Sequence, residues 1–536
     1  MMIESVQIAV VLLLVISGVA WAANRLKVPP SILLVLVGVA LALIPGLPTL
    51  ALAPEFVLMV ILPPLIYSAA VAMSWNEFRF NLRPIALLAV GCVVFTTVAA
   101  AAATHFLLGF PWSVGFVLGA IVSPPDAVAP LSIARRMQLP RRILVVLEGE
   151  GLANDATALI LYRFAVAAVS LGAFSFGKAS SAFAAIVVGE IVWGLFVGWL
   201  MLHLRAWVRD PRIEITLSII TPYLAYWPPE HLGGSGVLAT VTAGLFISWN
   251  GLRLISAATR LQGIFFWDLL IYVIEGMVFV VTGLQARTLI SSIKGYSLAD
   301  LVNSALVVCV VIIIARFVWV FPATYVPRWL SRALAKRDPA PAWQTPFALS
   351  FTGVRGIVSL AAALAIPLTV ANGDPFPERD LILFLTFAVI VVTLVGQGLL
   401  LPLVIRWLGL ANAGVREHQD IRVEEFSARR GALQAAIERL AALGIERKLS
   451  EEMLAAFKAR HNERLKHVNH RSDGDEGHQR LTELHDEIEF ALIEAERQSI
   501  NECYRNGKLK DEVRRRIERE LDLREAHLAN IRGESD

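Results

Sequence analysis

Long apolar runs recur along this chain of 536 residues, and they constrain its fold more than any other feature. A helix crosses ~30 Å of bilayer hydrocarbon with about 20 residues. Spanning segments must satisfy their own backbone hydrogen bonds, and runs of this length do so as helices. We predict thirteen spans, numbered in chain order: 3–23, 30–46, 54–73, 84–108, 112–134, 143–170, 179–204, 213–228, 233–249, 263–285, 299–325, 345–370 and 380–408.

Basic residues alternate between the loops that join these spans. With the N-terminus outside, the loops that face the cytoplasm carry 17 Lys and Arg residues, whereas the opposite loops carry four. Such a bias sets the orientation of membrane proteins. Glu4 precedes the first apolar run and Arg25 follows it, which is the reverse of a signal peptide. We therefore predict a multi-pass protein of the cell (inner or plasma) membrane with a cytoplasmic tail.

Charge is concentrated at the C-terminal end. Residues 411–536 hold 50 of the 93 acidic and basic residues, although 56% of the whole chain is hydrophobic. We predict a transmembrane domain at 1–410 and a cytosolic helical tail at 411–536, interrupted by a flexible linker at 472–477. Seven of the ten histidines lie in the tail, where they are either solvated surface residues or a pH sensor.

Several classes of function find no support in this sequence. The three cysteines are scattered without the spacing of a disulfide framework or a metal site. A net charge of +3, divided between a positive membrane part and a negative tail, gives no reason to expect nucleic acid as a partner. The tail contains no enzyme motif or nucleotide-binding loop, and we expect a protein that is not an enzyme and needs no cofactor.

The thirteen spans can be divided into six, one and six. Spans 1–6 then repeat as spans 8–13 with inverted topology, as is typical of secondary transporters. Span 5 is interrupted by Ser-Pro-Pro-Asp at 123–126, and span 12 by Thr-Gly-Val-Arg-Gly at 352–356. Breaks at matching positions indicate a substrate site at the midplane. Ordinary proline and glycine kinks are the alternative, but a charged residue lies at each break.

Span 6 carries the sequence LEGEGLANDATALI at 147–160. Its carboxylates are costly in hydrocarbon and therefore indicate function. Asp155 lies ~18 Å into the span, near mid-bilayer. Glu148 and Asp155 share one face of the helix, whereas Glu150 and Asn154 share another.

A buried arginine in span 12, Arg355, needs a carboxylate partner. We predict a structural ion pair with Glu150, with Glu148 as the alternative. Arg316 in span 11 is expected to be paired too, with a carboxylate or a helix C-terminus, and Glu190 and Glu275 are the candidate carboxylates. Asp155 then remains free to bind a small cation beside an amide oxygen. Hard oxygen ligands suit Na⁺ or Li⁺, and a proton competes for the same carboxylate.

Four motifs resemble those of the sodium/proton exchangers of the monovalent cation:proton antiporter family. The sequence at 149–155 is similar to the family's Gly-Glu-(three residues)-Asn-Asp signature, and Leu-Pro-Pro at 62–64 is similar to its Leu-Pro-Pro motif. Residues 123–129 resemble its unwound Thr-Asp-Pro-Val-Ala segment, and 353–356 its Gly-Leu-Arg-Gly segment. Two positions depart from the family pattern: Ser68 replaces a common glutamate and Pro125 a common threonine.

The resemblance implies an all-α fold of thirteen transmembrane helices in six-helix inverted repeats, with broken crossing helices and a homodimeric assembly. It implies that Asp155 carries the cation and proton, with Asn154, Asp126 and Ser123 in the same site. An Asn-Asp pair is associated in the family with electroneutral exchange.

We therefore expect a secondary active transporter that exchanges cytoplasmic Na⁺, Li⁺ or K⁺ for external H⁺ in pH and sodium homeostasis. A K⁺/H⁺ exchanger of the same fold is the close alternative. A cation channel that uses the broken helices as a filter is a rival from another class, and a receptor that signals through the tail is a third.

Overall fold

The computed structural model describes residues 2–45, 53–171, 176–208, 210–293, 295–472, 476–506 and 508–532. Within these ranges the regular structure is helical, and a single bridge pairs Thr369 with Pro375. Contacts divide the chain into two compact units, Met1–Val415 and Arg416–Asp536. The boundary between them lies five residues beyond the predicted one.

Helices lie at all thirteen predicted spans, and we name each helix by its span. Among the described residues, eight of these helices are long and apolar enough to cross a membrane; thirteen crossings remain a prediction. The bounds are Met2–Leu26, Pro30–Ala42, Pro54–Ala72, Leu82–Leu108, Trp112–Val122 with Val128–Arg136, Arg141–Leu171, Phe176–Val208, Pro211–His231, Val237–Leu254, Ala257–Leu284, Leu298–Leu330, Gln344–Phe351 with Ile357–Leu364, and Arg379–Trp407.

Local sequence sets where several of these helices begin. Asp210 accepts hydrogen bonds from the first backbone N–H groups of span 8, Ser256 caps span 10 and Ser297 caps span 11. These are the side chains that best satisfy the unpaired N–H groups of a first helical turn. Gly109, at φ +76, ends span 4 in the left-handed conformation that glycine adopts most easily.

Close helix packing depends on small residues. Span 2 packs along span 10, and a Cβ atom on Gly38 would lie 2.3 Å from the carbonyl oxygen of Val280. Helices in lipid associate through such close contacts, because hydrocarbon gives no hydrophobic drive between them. Span 7 packs along span 9 and span 4 along span 5. Three π-helical segments, Val57–Ile61, Leu87–Cys92 and Val392–Gln397, widen spans 3, 4 and 13.

The second unit is a set of helices: Glu451–Ser472, Glu476–Arg505 and Asp511–Arg532 follow Leu410–Glu446. The last two pack together, with Arg497 bound to Asp522 and Glu525. Residues 473–475 of the predicted linker lie outside the described residues.

A cluster of arginines surrounds Asp338, in the connection between spans 11 and 12. Its carboxylate binds Arg83 of span 4 at 2.8 Å, Arg142 of span 6 at 2.8 Å and Arg328 of span 11 at 2.7 Å. Burial opposes ionisation of this carboxyl, but the hydrogen bond and charge of Arg142, with the charges of Arg328 and Arg83, hold its pKa below its usual range. One carboxylate thus ties together the ends of three helices.

We expect Asp338→Asn to lower the free energy of unfolding by about 1–3 kcal/mol, because three guanidinium groups lose their shared counter-ion. The lowered pKa of Asp338 means that its contribution is complete above its unfolded pKa, about 3.9. It is lost as the pH falls below about 4 towards the folded pKa.

Melting temperatures of the purified protein, measured from pH 7 downwards, test this prediction. The wild-type protein and Asp338→Asn should converge below about pH 4. Asp380→Asn is the matched control, since Asp380 makes one exposed contact with Arg379 at 3.9 Å. Equal melting temperatures for both variants at pH 7 would contradict the role given to Asp338.

Candidate functional site

The breaks in spans 5 and 12 meet. The backbone N–H of Asp126 donates a hydrogen bond to the carbonyl oxygen of Val354 at 2.7 Å, and Nε of Arg355 donates to that of Val122 at 2.7 Å. The backbone N–H of Arg355 also donates to Oγ1 of Thr393 in the π-helical segment of span 13 at 3.0 Å. These backbone groups freed by the breaks therefore find partners in the opposing segment or in span 13, as they must at membrane depth.

Asp126 sits at the start of the second half of span 5. Its Oδ1 accepts a hydrogen bond from the N–H of Val128 at 2.9 Å, so the carboxylate caps this half-helix. A helix N-terminus favours negative charge. Its Oδ2 lies against Gly356, where an added Cβ would be only 2.0 Å away. Only glycine at 356 allows Asp126 to occupy this place.

Span 6 brings Asn154 and Asp155 to the same crossing. Asn154 is fully buried, and its Nδ2 donates to the carbonyl oxygen of Pro125 at 2.6 Å. Its Oδ1 accepts no hydrogen bond from the described residues. Asp155 is half-buried and lies near enough to Asp126 for the two carboxylates to repel each other. Two carboxylates and an amide thus converge where the helices are broken.

Ser123, the remaining residue of the predicted ion site, is buried at the end of the first half of span 5. Its hydroxyl donates to the carbonyl oxygen of Ala120, in its own helix, at 3.2 Å. Within the described residues, no cluster of three or more His, Cys, Asp or Glu side chains could hold a metal ion.

The predicted ion pair between Glu150 and Arg355 is wrong. Glu150 binds Arg316 of span 11 through two parallel contacts, at 2.5 Å and 2.8 Å, and both side chains are 2% exposed. Nε of Arg316 also donates to the carbonyl oxygen of Leu349 at 3.0 Å. The planar guanidinium presents two N–H groups to the two carboxylate oxygens, which is the strongest geometry for such a pair.

Arg355 is stabilised by carbonyl groups instead. Besides Val122, it donates a short hydrogen bond to the carbonyl oxygen of Gly353 in its own segment. Val122 ends the first half of span 5, and the C-terminal end of a helix attracts positive charge. Arg355 thus neutralises a half-helix end at the crossing and holds the two breaks together.

The other acidic residues of the apolar runs have different roles. Glu148 binds Arg135 at 2.7 Å at the protein surface. Glu190, a candidate partner for Arg316, instead accepts hydrogen bonds from the backbone N–H groups of Ser235 and Leu238, at 2.6 Å and 3.1 Å, and so caps span 9.

Glu275, the other candidate, lies on span 10. It is close enough to Asp126 and Arg135 for their charges to act on its carboxylate. The sequence marked it as a carboxylate in an apolar run, IYVIEGMVF, but gave no sign that it faces span 5. It is the third carboxylate in the neighbourhood of the crossing.

An all-helical membrane fold with two broken helices that cross is the construction of a secondary transporter. The family model "Sodium/hydrogen exchanger, transmembrane" matches residues 10–407. The chain belongs to this sodium/hydrogen exchanger family of monovalent cation:proton antiporters. The predicted all-helical membrane fold is confirmed, whereas the number of spans and their inverted repeat remain predictions.

Individual proteins are also similar to this chain in sequence or in structure. An uncharacterized Na⁺/H⁺ exchanger of Mycobacterium tuberculosis is 35% identical over 513 residues, which cover 94% of this chain and 93% of the relative. A protein named sodium, potassium, lithium and rubidium/H⁺ antiporter, of Bacillus pumilus, is 33% identical over 74% of this chain and 61% of its own length. The structure of the sodium proton antiporter MjNhaP1 from Methanocaldococcus jannaschii matches with a TM-score of 0.60 and 19% identity, over 75% of this chain and 98% of that one.

Proposed function

We propose that this protein exchanges cytoplasmic Na⁺ for external H⁺, with Asp155 as the residue that carries both ions. The observation that supports this function most strongly is the meeting of Asp155, Asp126 and Asn154 at the crossing of two broken helices. Half-buried carboxylates there attract a small cation, and carboxylate and amide oxygens are the ligands that hard cations prefer.

Competition at one site accounts for exchange. Two neighbouring carboxylates repel each other, so binding either a cation or a proton relieves the repulsion. A site that holds one or the other, and that opens to one side of the membrane at a time, couples the two movements. Glu150 and Arg316 neutralise each other, and Arg355 is neutralised by helix-end carbonyls. The charges of Glu150, Arg316 and Arg355 therefore stay constant during the cycle, and the contacts of these side chains stabilise the crossing.

Ion-driven pH changes in everted vesicles, or in liposomes that contain the purified protein, test this function. A Na⁺ gradient should move protons in the opposite direction. Parallel gradients of Li⁺ and K⁺ give the ion preference, since the relative from Bacillus pumilus is named for four alkali cations. A cation flux that continues without any proton movement would indicate a channel and contradict the proposal.

Electroneutral exchange is the expected stoichiometry. Asp155 carries one Na⁺ in one direction and one H⁺ in the other, and Asn154 cannot ionise. Glu148, the second carboxylate considered from the sequence, is bound to Arg135. Asp126, rather than Glu148, is the carboxylate whose charge acts on Asp155. Electroneutral exchange therefore requires that Asp126 keep the same protonation state throughout the cycle.

Transport by liposomes with a potential set by valinomycin and K⁺ measures this stoichiometry, with a K⁺-free control for competition. The rate and end point of Na⁺/H⁺ exchange should not follow the imposed potential. If they do, a second charge moves, and Asp126→Asn becomes the first variant to examine.

Orientation and assembly complete the proposal. The distribution of basic residues among the loops supports an outside N-terminus and a cytoplasmic tail in the cell membrane. Family membership supports a homodimer.

A further inference from the structure

A large groove lies between two pairs of helices in the membrane unit. Its volume is about 770 Å³; spans 4 and 6 form one wall and spans 7 and 9 the other. Apolar side chains make up nearly all of its lining. Val90, Leu195 and Trp249 at its rim are 40%, 44% and 53% exposed, so the groove opens sideways between the helices. What surrounds these helices is hydrocarbon, and a slot of this kind fits an acyl chain.

The dimensions agree with that occupant. The lining on span 9 runs from Leu238 to Asn250, which is about 18 Å along a helix. One leaflet contributes about half of the ~30 Å hydrocarbon thickness. The one carboxylate in the lining, Glu190, is already engaged by the N–H groups that begin span 9. Glu190 is also buried, at 3% exposure, so the surface that the groove offers an acyl chain is almost entirely apolar.

One mouth of the groove is basic. Trp75 and Trp249 line this mouth, and a hydrogen bond of 2.8 Å from Ser248 to the carbonyl oxygen of Met73 ties its two sides together. Arg79 follows Trp75 by one helical turn, and Arg253 follows Trp249 by one turn. Aromatic rings and arginines of this kind mark the level of the lipid headgroups.

Neither arginine is neutralised nearby. Arg79 and Arg253 are exposed and form no ion pair with any described residue. Glu77, the acidic residue of the same short helix as Arg79, is bound to Arg141 through both oxygens, at 2.9 Å and 2.6 Å. Positive charge is thus left at the end of an apolar slot, as an anionic headgroup requires.

We propose that this groove binds one anionic phospholipid, with an acyl chain between spans 4 and 9 and the phosphate between Arg79 and Arg253. The chain contacts Ala156 and Thr157, which directly follow Asp155 on span 6. A bound lipid is therefore in contact with the helix that carries the central carboxylate of the crossing.

Native mass spectrometry of the full-length protein in detergent, titrated with phosphatidylglycerol or with phosphatidylcholine of the same acyl chains, tests the site. The wild-type protein should retain phosphatidylglycerol in preference. Ala86→Trp fills the groove and should abolish retention, whereas Val98→Trp, on the same span but outside the lining, should not. Equal retention by both variants would overturn the proposal.

The headgroup site has its own pair of variants. The double variant of Arg79→Ala and Arg253→Ala should lose about tenfold or more in affinity for phosphatidylglycerol and keep its affinity for phosphatidylcholine. Arg332→Ala with Lys336→Ala removes two other exposed basic residues and should change neither affinity. If the first double variant preferred phosphatidylglycerol over phosphatidylcholine as strongly as the wild-type protein does, the phosphate would not lie between Arg79 and Arg253.

A measurement on the wild-type protein tests the site without depending on whether the variants fold. In phosphatidylglycerol vesicles, a lipid with a photoactivatable group on its acyl chain should label residues 86–90 and 238–249. Labelling spread over the outer faces of all spans, without enrichment there, would show that the groove holds no lipid.

Discussion

Asp155→Asn should abolish Na⁺-dependent proton movement while leaving the protein folded and inserted. The substitution preserves the shape of the side chain, and Asp155 is only half-buried, so packing should change little. It removes the group that alternates between cation and proton. The expected loss is complete, at the detection limit of a vesicle or liposome assay, and raising the Na⁺ concentration should not restore transport.

Glu148→Gln is the matched control for Asp155→Asn. It neutralises a carboxylate seven residues earlier on the same face of span 6, but one that is bound to Arg135. It should retain most of the exchange activity, and melting temperatures should show that both variants are folded. Full exchange by Asp155→Asn would remove Asp155 from the site, whereas equal loss in both variants would point to a general effect of charge on span 6.

The positions of the helices and of their two breaks could be predicted from the sequence because bilayer thickness and backbone hydrogen bonding restrict them so strongly. Proline and glycine beside Asp126 and Arg355 located the crossing, and the carboxylates of span 6 located its centre. These features are local: each can be recognised within about one span.

Partners of charged side chains could not be predicted in the same way. Arg316 and Glu150 are 166 residues apart, and Arg83 and Asp338 are 255 apart. Which of two buried arginines faces Glu150 depends on the rotation of spans 6 and 11 in the folded bundle, and periodicity within one helix does not give that rotation. Arg83, Arg142 and Arg328 could be recognised only as basic loop residues, although they converge on one carboxylate.

The corrected ion pair leads to a quantitative prediction about stability. Arg316→Ala should lower the free energy of unfolding by about 3–5 kcal/mol, because it leaves Glu150 buried and charged without its partner. Glu150→Gln alone should also destabilise the protein, since it leaves Arg316 uncompensated. In the double variant both charges are gone, and the loss should be smaller than the sum of the single losses.

Arg355 supplies the comparison that separates the predicted pair from the observed one. A double-mutant cycle of Glu150 with Arg316 should show a coupling well above ~1 kcal/mol, because the two side chains share two contacts. The cycle of Glu150 with Arg355 should be nearly additive, since Arg355 bonds to the carbonyls of Val122 and Gly353. Thermal or denaturant unfolding in detergent measures both cycles. A larger coupling with Arg355 than with Arg316 would mean that Glu150 is paired across the crossing, with span 12, and that its contact with span 11 is secondary.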